Sequence, residues 1–193
     1  MNKQELIDFQ NDIIDIYLAG KIHAPIHLCI GSEEPLIEIF KGIRKQDWVF
    51  SHTRWHYHAL LKGVPPAIVK KAIVDGAGMH YDNKKYRFST SGILGGQIPI
   101  AVGVAMSIKR KGLDEHVYVF MGDMASKMGI MHECCIYSQK QGLPITFVIE
   151  DNSLSVDTPT HEIWGYKDNG LIRYYNYERV YPHAGCGKWI TFQ

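Results

Sequence analysis

Two hydrophobic runs that are each followed by polar residues constrain the fold of this chain more than any other feature. The run 116–122 is followed by Asp123, and the run 143–151 is followed by Asn152. The stretch between them, 129–141, has helical spacing of its apolar residues. A strand, a helix and a second strand in this order form a right-handed crossover between parallel neighbours. The pattern therefore predicts an α/β fold, a parallel sheet flanked by helices, with Asp123 and Asn152 at one edge.

The carboxyl edge of a parallel sheet is where open α/β folds bind ligands. A carboxylate and an amide oxygen that meet there suit Mg²⁺, which prefers octahedral oxygen ligands and usually completes them with phosphate and water. The pair Asp123 and Asn152 therefore predicts a cofactor that carries a diphosphate. The alternative from the residues alone is an ordinary turn at Gly-Asp and an ordinary loop at Asp-Asn-Ser.

Composition limits the classes of protein to consider. With 193 residues, 46% hydrophobic and 21% charged, the chain is long enough for one domain with a hydrophobic core. The 21 basic and 20 acidic residues nearly cancel, so net charge indicates neither a nucleic-acid groove nor an anionic membrane surface. Four cysteines without a CxxC pair favour a reduced, cytoplasmic setting. The first residues lack the apolar core of a signal peptide, and Pro99 and Gly103 interrupt the longest apolar tract, so we expect a soluble protein.

Hydrophobic spacing and turn residues predict the other elements. A helix over 6–17 ends at Gly20, and a second helix follows Ser32 with an acidic first turn and an early proline. The polar stretch 75–91 predicts a long loop without regular structure, and such loops tend to be functional. The pattern also predicts a strand at 48–51, a helix at 66–74, and a closely packed helix after a glycine-rich turn within 92–106.

Three histidines, His52, His56 and His58, would lie on one face if their segment is extended. Such a pattern can indicate a metal site. No carboxylate or cysteine at a suitable spacing completes a ligand set, so the sequence disfavours a structural zinc ion at these positions.

Five short motifs occur in order between residues 27 and 159. They are His27-Leu-Cys-Ile-Gly-Ser-Glu33, Arg54-Trp-His56 followed by Leu60-Leu-Lys-Gly63, Gly78-Met-His80, Gly92-Ile-Leu-Gly-Gly-Gln-Ile-Pro99, and Gly122-Asp123 with Asp151-Asn152. Together they resemble the alpha subunit of the thiamine-diphosphate-dependent, decarboxylating first component of 2-oxoacid dehydrogenase complexes, and the related acetoin dehydrogenase subunits, of the transketolase superfamily.

The resemblance implies a site for thiamine diphosphate and Mg²⁺. By position in the family's motifs, Asp123, the side-chain oxygen of Asn152 and the backbone carbonyl of Leu154 would bind Mg²⁺. Arg54 would pair with the diphosphate as a bidentate cation; its alternative is an ordinary surface arginine. The other implied cofactor contacts are the backbone of Gly92 and Leu94, which would face the aminopyrimidine, together with Gly122, Met124 and Ala125.

The resemblance also implies catalytic histidines. A nearly neutral imidazole can steer proton transfers and bind a substrate carboxylate, so His56 and His80 are the candidate catalytic groups. The alternative for each is a loop histidine with satisfied hydrogen bonds. Glu133, in the predicted helix that follows the diphosphate loop, is expected to be a solvated or structural carboxylate.

A single diphosphate-binding domain, 1–193, is the implied organisation, with an aromatic tail at 164–193 that fits an interface, a lid or a packed cap. The pyrimidine-binding module, with the glutamate that activates the cofactor, would come from a beta-type subunit in a heterotetramer. The implied enzyme is active only with that partner, and it decarboxylates a small 2-oxoacid and transfers or oxidises the acyl unit.

Two other functions remain open. A split transketolase-like or decarboxylase subunit would share the metal site. A non-catalytic pseudoenzyme or scaffold would arise if Met124, which stands where the family's signature has glycine, closes the cofactor site.

Overall fold

The computed structural model describes residues 1–164 and 172–191, which build a six-stranded central sheet and a separate two-stranded hairpin. The strands are β1 (Trp48–Ser51), β2 (Asp82–Asn83), β3 (Phe88–Thr90), β4 (Val117–Gly122), β5 (Ile145–Asp151), β6 (Leu154–Ser155), β7 (Thr158–Pro159) and β8 (Ile172–Asn176). The helices are α1 (Lys3–Leu18), α2 (Glu33–Phe40), α3 (His56–Leu61), α4 (Pro66–Val74), α5 (Gln97–Lys111), α6 (Asp123–Ser126), α7 (Gly129–Lys140) and α8 (Thr160–Trp164).

The central sheet has the order β2-β3-β1-β4-β5-β8, and every neighbouring pair except β2 and β3 is parallel. Strand β4, helix α7 and strand β5 form the predicted crossover unit. In the register of β4 and β5, Gly122 lies beside Glu150. Asp123 and Asn152 therefore follow neighbouring parallel strands at the same edge of the sheet. The predicted α/β fold is confirmed.

Side chains of the central strands alternate between two hydrophobic clusters, one on each face of the sheet. Phe120 and Val148 pack with helices α1 to α4, whereas Val119 and Phe147 pack with helices α5 and α7. Strands that are covered on both faces carry nearly continuous apolar sequence, which is why runs 117–121 and 145–149 are so hydrophobic. The two layers of helices hold the carboxyl edge of the sheet in a fixed geometry.

The prediction of no regular structure within 75–91 was wrong. Residues 88–90 form β3, which lies parallel to β1, and residues 82–83 pair with it as β2. Of the β3 side chains, Phe88 is a large buried apolar residue, whereas Ser89 and Thr90 are polar. A strand this short and polar is specified by the exposed backbone of its neighbour rather than by its own pattern of residues.

The condition under which the three histidines would share one face, an extended segment, is not met. His52 lies in the loop after β1, but His56 begins helix α3 and His58 lies within it. Side chains two positions apart on a helix point to different sides, so His56 and His58 do not share one face.

The C-terminal residues include a strand of the central sheet. β8 pairs with β5, and the backbone N–H of Tyr177 donates to the carbonyl of Asp151 at 2.9 Å. The chain then runs so close to Gly31 that a Cβ there would lie 2.3 Å from the carbonyl oxygen of Glu178. Only glycine permits this approach, and Gly31 also has a φ of +114°. The segment 172–186 is thus packed against the body of the fold, whereas Trp189 beyond it is fully exposed. The parts of the predicted tail at 165–171 and 192–193 lie outside the described residues.

In the part of the chain that the structure describes, no helix combines the length and apolar character needed to cross a membrane. The four cysteines are all buried and free of disulfides.

Candidate functional site

A cavity of about 480 Å³ opens at the carboxyl edge of the central sheet. Its walls come from the loop after β1, the turn before α5, the ends of β4 and β5, and the C-terminal segment. The lining includes all the predicted cofactor and metal residues: Arg54, Gly92, Leu94, Gly122, Asp123, Met124, Ala125, Asn152 and Leu154. The folded chain therefore brings together residues that are up to a hundred positions apart in the sequence.

Two charged side chains of the cavity wall have buried atoms without a hydrogen-bond partner among the described residues. They are Oδ2 of Asp123 and the Nε and Nη2 atoms of Arg54. Leaving a buried charged group unsatisfied costs several times the net value of an ordinary hydrogen bond. Burial raises the pKa of Asp123; the nearby hydroxyl of Thr160 partly opposes this rise, and the carboxylate of Asp151 adds to it. A cation next to Asp123 and an anion next to Arg54 would satisfy both side chains, which is the charge pattern of a magnesium diphosphate.

The loop after β5 holds its oxygen atoms in a fixed arrangement. Oδ1 of Asn152 accepts a hydrogen bond from the backbone N–H of Leu154 at 3.0 Å, and the side-chain amide donates to the hydroxyl of Tyr177 at 3.0 Å. Between them, Ser153 has a left-handed backbone with φ of +60°. The strand partner of Leu154 is Pro159, which has no N–H to donate to the Leu154 carbonyl. The amide of Asn152 and the carbonyl of Leu154 are thus suitable oxygen donors for a hard cation.

The turn before α5 requires glycine at two points. A Cβ at Gly92 would lie 2.9 Å from Cβ of Met79 and 3.2 Å from Nε2 of His80, and Gly95 has a φ of +73°. The turn thus brings backbone groups to the cavity wall, where larger residues would obstruct them. The side chain of Leu94 is half exposed there.

The predicted catalytic histidines do not line the cavity. His56 is 2% exposed, and its Nδ1 lies 3.3 Å from the side-chain amide nitrogen of Gln10. His80 is exposed and lies behind Gly92, whose N–H is 3.5 Å from its Nδ1. His80 thus lies next to the cavity wall, whereas His56 is enclosed by the core, and their catalytic roles stay predictions. Glu133 is exposed on α7, as expected of a solvated carboxylate.

Several cavity residues were absent from the sequence-based site. They include His27, His52, Glu150, Tyr177 and His183. Nε2 of His52 lies 2.5 Å from Oε2 of Glu150, and Nδ1 of His27 lies 2.6 Å from the carbonyl oxygen of His183. Glu150 precedes the Asp-Asn pair on β5, so its position at the end of a predicted strand was the one available signal. The contacts of His27 and Tyr177 depend on the C-terminal segment, for which the sequence offered no pairing.

We expect the stability of the fold to fall in acid because of His56. Burial, with smaller effects of His27 and His58, lowers the pKa of His56 to about 3. Between the ordinary histidine pKa and that value, the unfolded chain binds a proton that the folded chain does not, so the free energy of unfolding rises with pH across this window. Replacing His56 with glutamine should reduce the slope by about 1.4 kcal/mol per pH unit, the value for one proton.

The measurement is urea unfolding of the wild type and the variant at several pH values from about 4.5 to about 6.5. The upper end of this range is the ordinary pKa of histidine. His132→Gln, at an exposed position on α7, is the matched control and should keep the wild-type slope. Equal slopes for wild type and His56→Gln would show that His56 is not a neutral buried base.

Comparison with known proteins links this chain to one family. The model of the dehydrogenase E1 component family matches residues 1–167. Among similar proteins, the pyruvate dehydrogenase E1 component subunit alpha of Rickettsia prowazekii is 30% identical over 160 residues, covering 78% of this chain and 49% of the relative. The acetoin:2,6-dichlorophenolindophenol oxidoreductase alpha subunits of Cupriavidus necator and Bacillus subtilis are 31% and 28% identical, covering 78% and 80% of this chain and 48% and 50% of their own length. The chain spans about half the length of the curated relatives it matches.

Proposed function

The chain belongs to the dehydrogenase E1 component family, and from this premise we propose that it is the diphosphate-binding subunit of an enzyme that depends on thiamine diphosphate and Mg²⁺. The enzyme would decarboxylate a 2-oxoacid and transfer or oxidise the acyl unit. The relatives named above act on pyruvate or acetoin by their names, which supports a small substrate. Four buried free cysteines support a reducing, cytoplasmic setting.

One observation carries the proposal. A buried carboxylate atom of Asp123 and buried guanidinium atoms of Arg54 line the same cavity and lack hydrogen-bond partners in the described part of the chain. Asp123, the amide oxygen of Asn152 and the carbonyl of Leu154 would bind Mg²⁺, because this ion prefers oxygen donors and keeps phosphate oxygens among its ligands. Arg54 would bind the diphosphate through its planar fork.

When bound, thiamine diphosphate would supply the electron sink for decarboxylation. The contribution of this chain is positioning and electrostatics. Asp123 would hold the Mg²⁺ ion and Arg54 the diphosphate. The narrow turn at Gly92 would bring backbone groups to the ring system of the cofactor. His80, next to Gly92, is the better placed of the two candidate histidines to move a proton, since His56 is enclosed by the core.

The second half of the cofactor site would come from a beta-type, pyrimidine-binding subunit, in a heterotetramer. At the cavity rim, Ile93 is 68% exposed and Leu94 is 54% exposed, although both are large apolar side chains. An exposed apolar rim around a binding cavity is typical of a surface that a partner covers. The beta-type partner and the heterotetramer are parts of this proposal.

A non-catalytic scaffold is the second candidate, and Met124 is the observation that favours it. Met124 lines the cavity next to Asp123, where its bulky side chain can compete with a phosphate group for space. A split transketolase-like or decarboxylase subunit would use the same metal position, but it would move a ketol unit or release an aldehyde.

Titration of the chain and its co-purifying partner with thiamine diphosphate and Mg²⁺ tests the proposal, and Met124→Gly separates the enzyme from the scaffold. We expect the wild type to bind and the glycine variant to lose no more than about 0.5–1 kcal/mol, the flexibility penalty of glycine. Met124→Leu, which keeps the bulk, is the control and should match the wild type. Binding that appears only in Met124→Gly would identify a closed site and a scaffold, and no binding by any form would refute the cofactor assignment.

A further inference from the structure

A cluster of two histidines and one glutamate lies at the wall of the cavity. His52 comes from the loop after β1, His58 from α3 and Glu150 from β5. Nε2 of His52 is 2.5 Å from Oε2 of Glu150, and Nε2 of His58 is 3.2 Å from Oε1 of Glu150. The potential ligand atoms of the three residues all lie within 4.8 Å of one another. We infer that this cluster binds a transition-metal dication, Zn²⁺ in the first place, at a position separate from the Asp123 and Asn152 oxygens.

The donor atoms select the metal. Two imidazole nitrogens and one carboxylate form a ligand set that Zn²⁺ accepts with a fourth position left open, whereas Mg²⁺ and Ca²⁺ prefer oxygen donors throughout. His52 and Glu150 both line the cavity, so the open position can face it and take water or a small ligand. The sequence alone disfavoured zinc near these histidines because no carboxylate stands at a suitable spacing; the carboxylate of the cluster comes from β5, almost a hundred positions away.

Outer partners already hold two of the three ligands. Nδ1 of His58 is 2.6 Å from Oγ of Ser51, and the hydroxyl of Tyr175 donates to Glu150. A metal-bound histidine typically donates its second ring N–H to an oxygen, which fixes the orientation of the ring, and a metal-bound carboxylate is typically hydrogen-bonded as well. Ser51 and Tyr175 provide these contacts.

Charge also favours a cation at the cluster. Glu150 is 4% exposed, and in the described part of the chain its ion-pair partners within 4 Å are the two imidazoles, with no lysine or arginine. A dication at the cluster would neutralise the buried carboxylate of Glu150, which has no lysine or arginine beside it in the described part of the chain.

Direct hydrogen bonds among the three residues are the competing arrangement, in which each Nε2–H donates to Glu150. Metal binding would move each proton to Nδ1. In His58 the resulting Nδ1–H can donate a hydrogen bond to the hydroxyl of Ser51. For His52 the backbone N–H of Arg54 lies 3.5 Å from Nδ1, a contact too long to hold the ring in the opposite tautomer.

Equilibrium dialysis of the purified chain against Zn²⁺, followed by metal analysis, tests the inference without cofactor, substrate or partner. We expect one Zn²⁺ per chain, a rise in the unfolding temperature with Zn²⁺, and visible absorption bands of a four-coordinate site when Co²⁺ replaces it. His52→Gln keeps a donor to Glu150 but removes one ligand. Because loss of an outer partner alone costs about 10–100-fold in metal affinity, this variant should lose at least that much.

Two controls make the result specific. His132→Gln, on the exposed face of α7, should bind Zn²⁺ as the wild type does, and so should Asp123→Asn, which alters the other metal position. No binding by the folded wild type would overturn the inference in favour of the hydrogen-bonded arrangement. Undiminished binding by His52→Gln, or binding lost in Asp123→Asn, would equally overturn it, since the ion would then lie elsewhere.

Discussion

Replacing Asp123 with asparagine is expected to abolish Mg²⁺-dependent binding of thiamine diphosphate and to leave the fold intact. The change keeps the size of the side chain but removes the charged oxygen ligand, and a hard dication prefers a carboxylate to an amide. The carboxylate has a buried oxygen without a hydrogen-bond partner among the described residues, and burial raises its pKa. The folded chain therefore gains nothing from that charge, and the unfolding temperature of the variant should equal or exceed that of the wild type.

The measurement is isothermal titration with thiamine diphosphate at saturating Mg²⁺, with the partner chain present, alongside thermal unfolding of each protein. Glu133→Gln removes a carboxylate from the exposed face of α7 and is the matched control, which should bind like the wild type. Unchanged Mg²⁺-dependent binding of thiamine diphosphate by Asp123→Asn would refute the assignment of the metal position.

Arg54→Lys should weaken cofactor binding by about 1–3 kcal/mol, the scale of a charged hydrogen bond. Lysine keeps the positive charge but has no planar fork to bind two phosphate oxygens at once. In the wild type, Nε and Nη2 of Arg54 are buried at the cavity and have no partner in the described part of the chain, so they are suitable donors for the diphosphate.

Titrations at matched ionic strength give the comparison, with Arg110→Lys on the exposed part of α5 as the control. A loss of affinity that persists in high salt would indicate direct contact, because salt screens long-range attraction between charges. A loss that is present only in low salt, or equal effects at Arg54 and Arg110, would reduce Arg54 to a general contribution to the electrostatic field.

The predictable part of the site is the part that local sequence specifies. Strands β4 and β5 are covered on both faces, so their hydrophobic runs reveal both the strands and the points where they end. Once a helix is recognised between them, the handedness and parallel pairing of the unit follow from general rules, and Asp123 and Asn152 must lie at one edge. The glycine-rich turn was predictable because its glycines stand close together in the sequence. The structure shows why glycine is needed, since Gly92 meets Met79 and His80 at distances that exclude a larger residue.

The parts that were missed depend on contacts between distant segments. β3 is defined by its pairing with β1, and β8 by its pairing with β5. The link between His52 and Glu150 joins residues that are 98 positions apart, and neither residue has a local signal for the other. His58 points away from His56 because helix α3 begins at His56. Packing of Trp55 and Tyr57 in the core outweighs the weak preference of this aromatic stretch for strand.

The most direct test of the account is a crystal structure of the chain with its partner, thiamine diphosphate and Mn²⁺ in place of Mg²⁺. Anomalous scattering locates the ion without reference to the protein. We predict an ion bound by the Asp123 carboxylate, the Asn152 amide oxygen and the Leu154 carbonyl, with the diphosphate beside Arg54. The absence of an ion from this position, or a diphosphate out of reach of Arg54, would contradict this assignment.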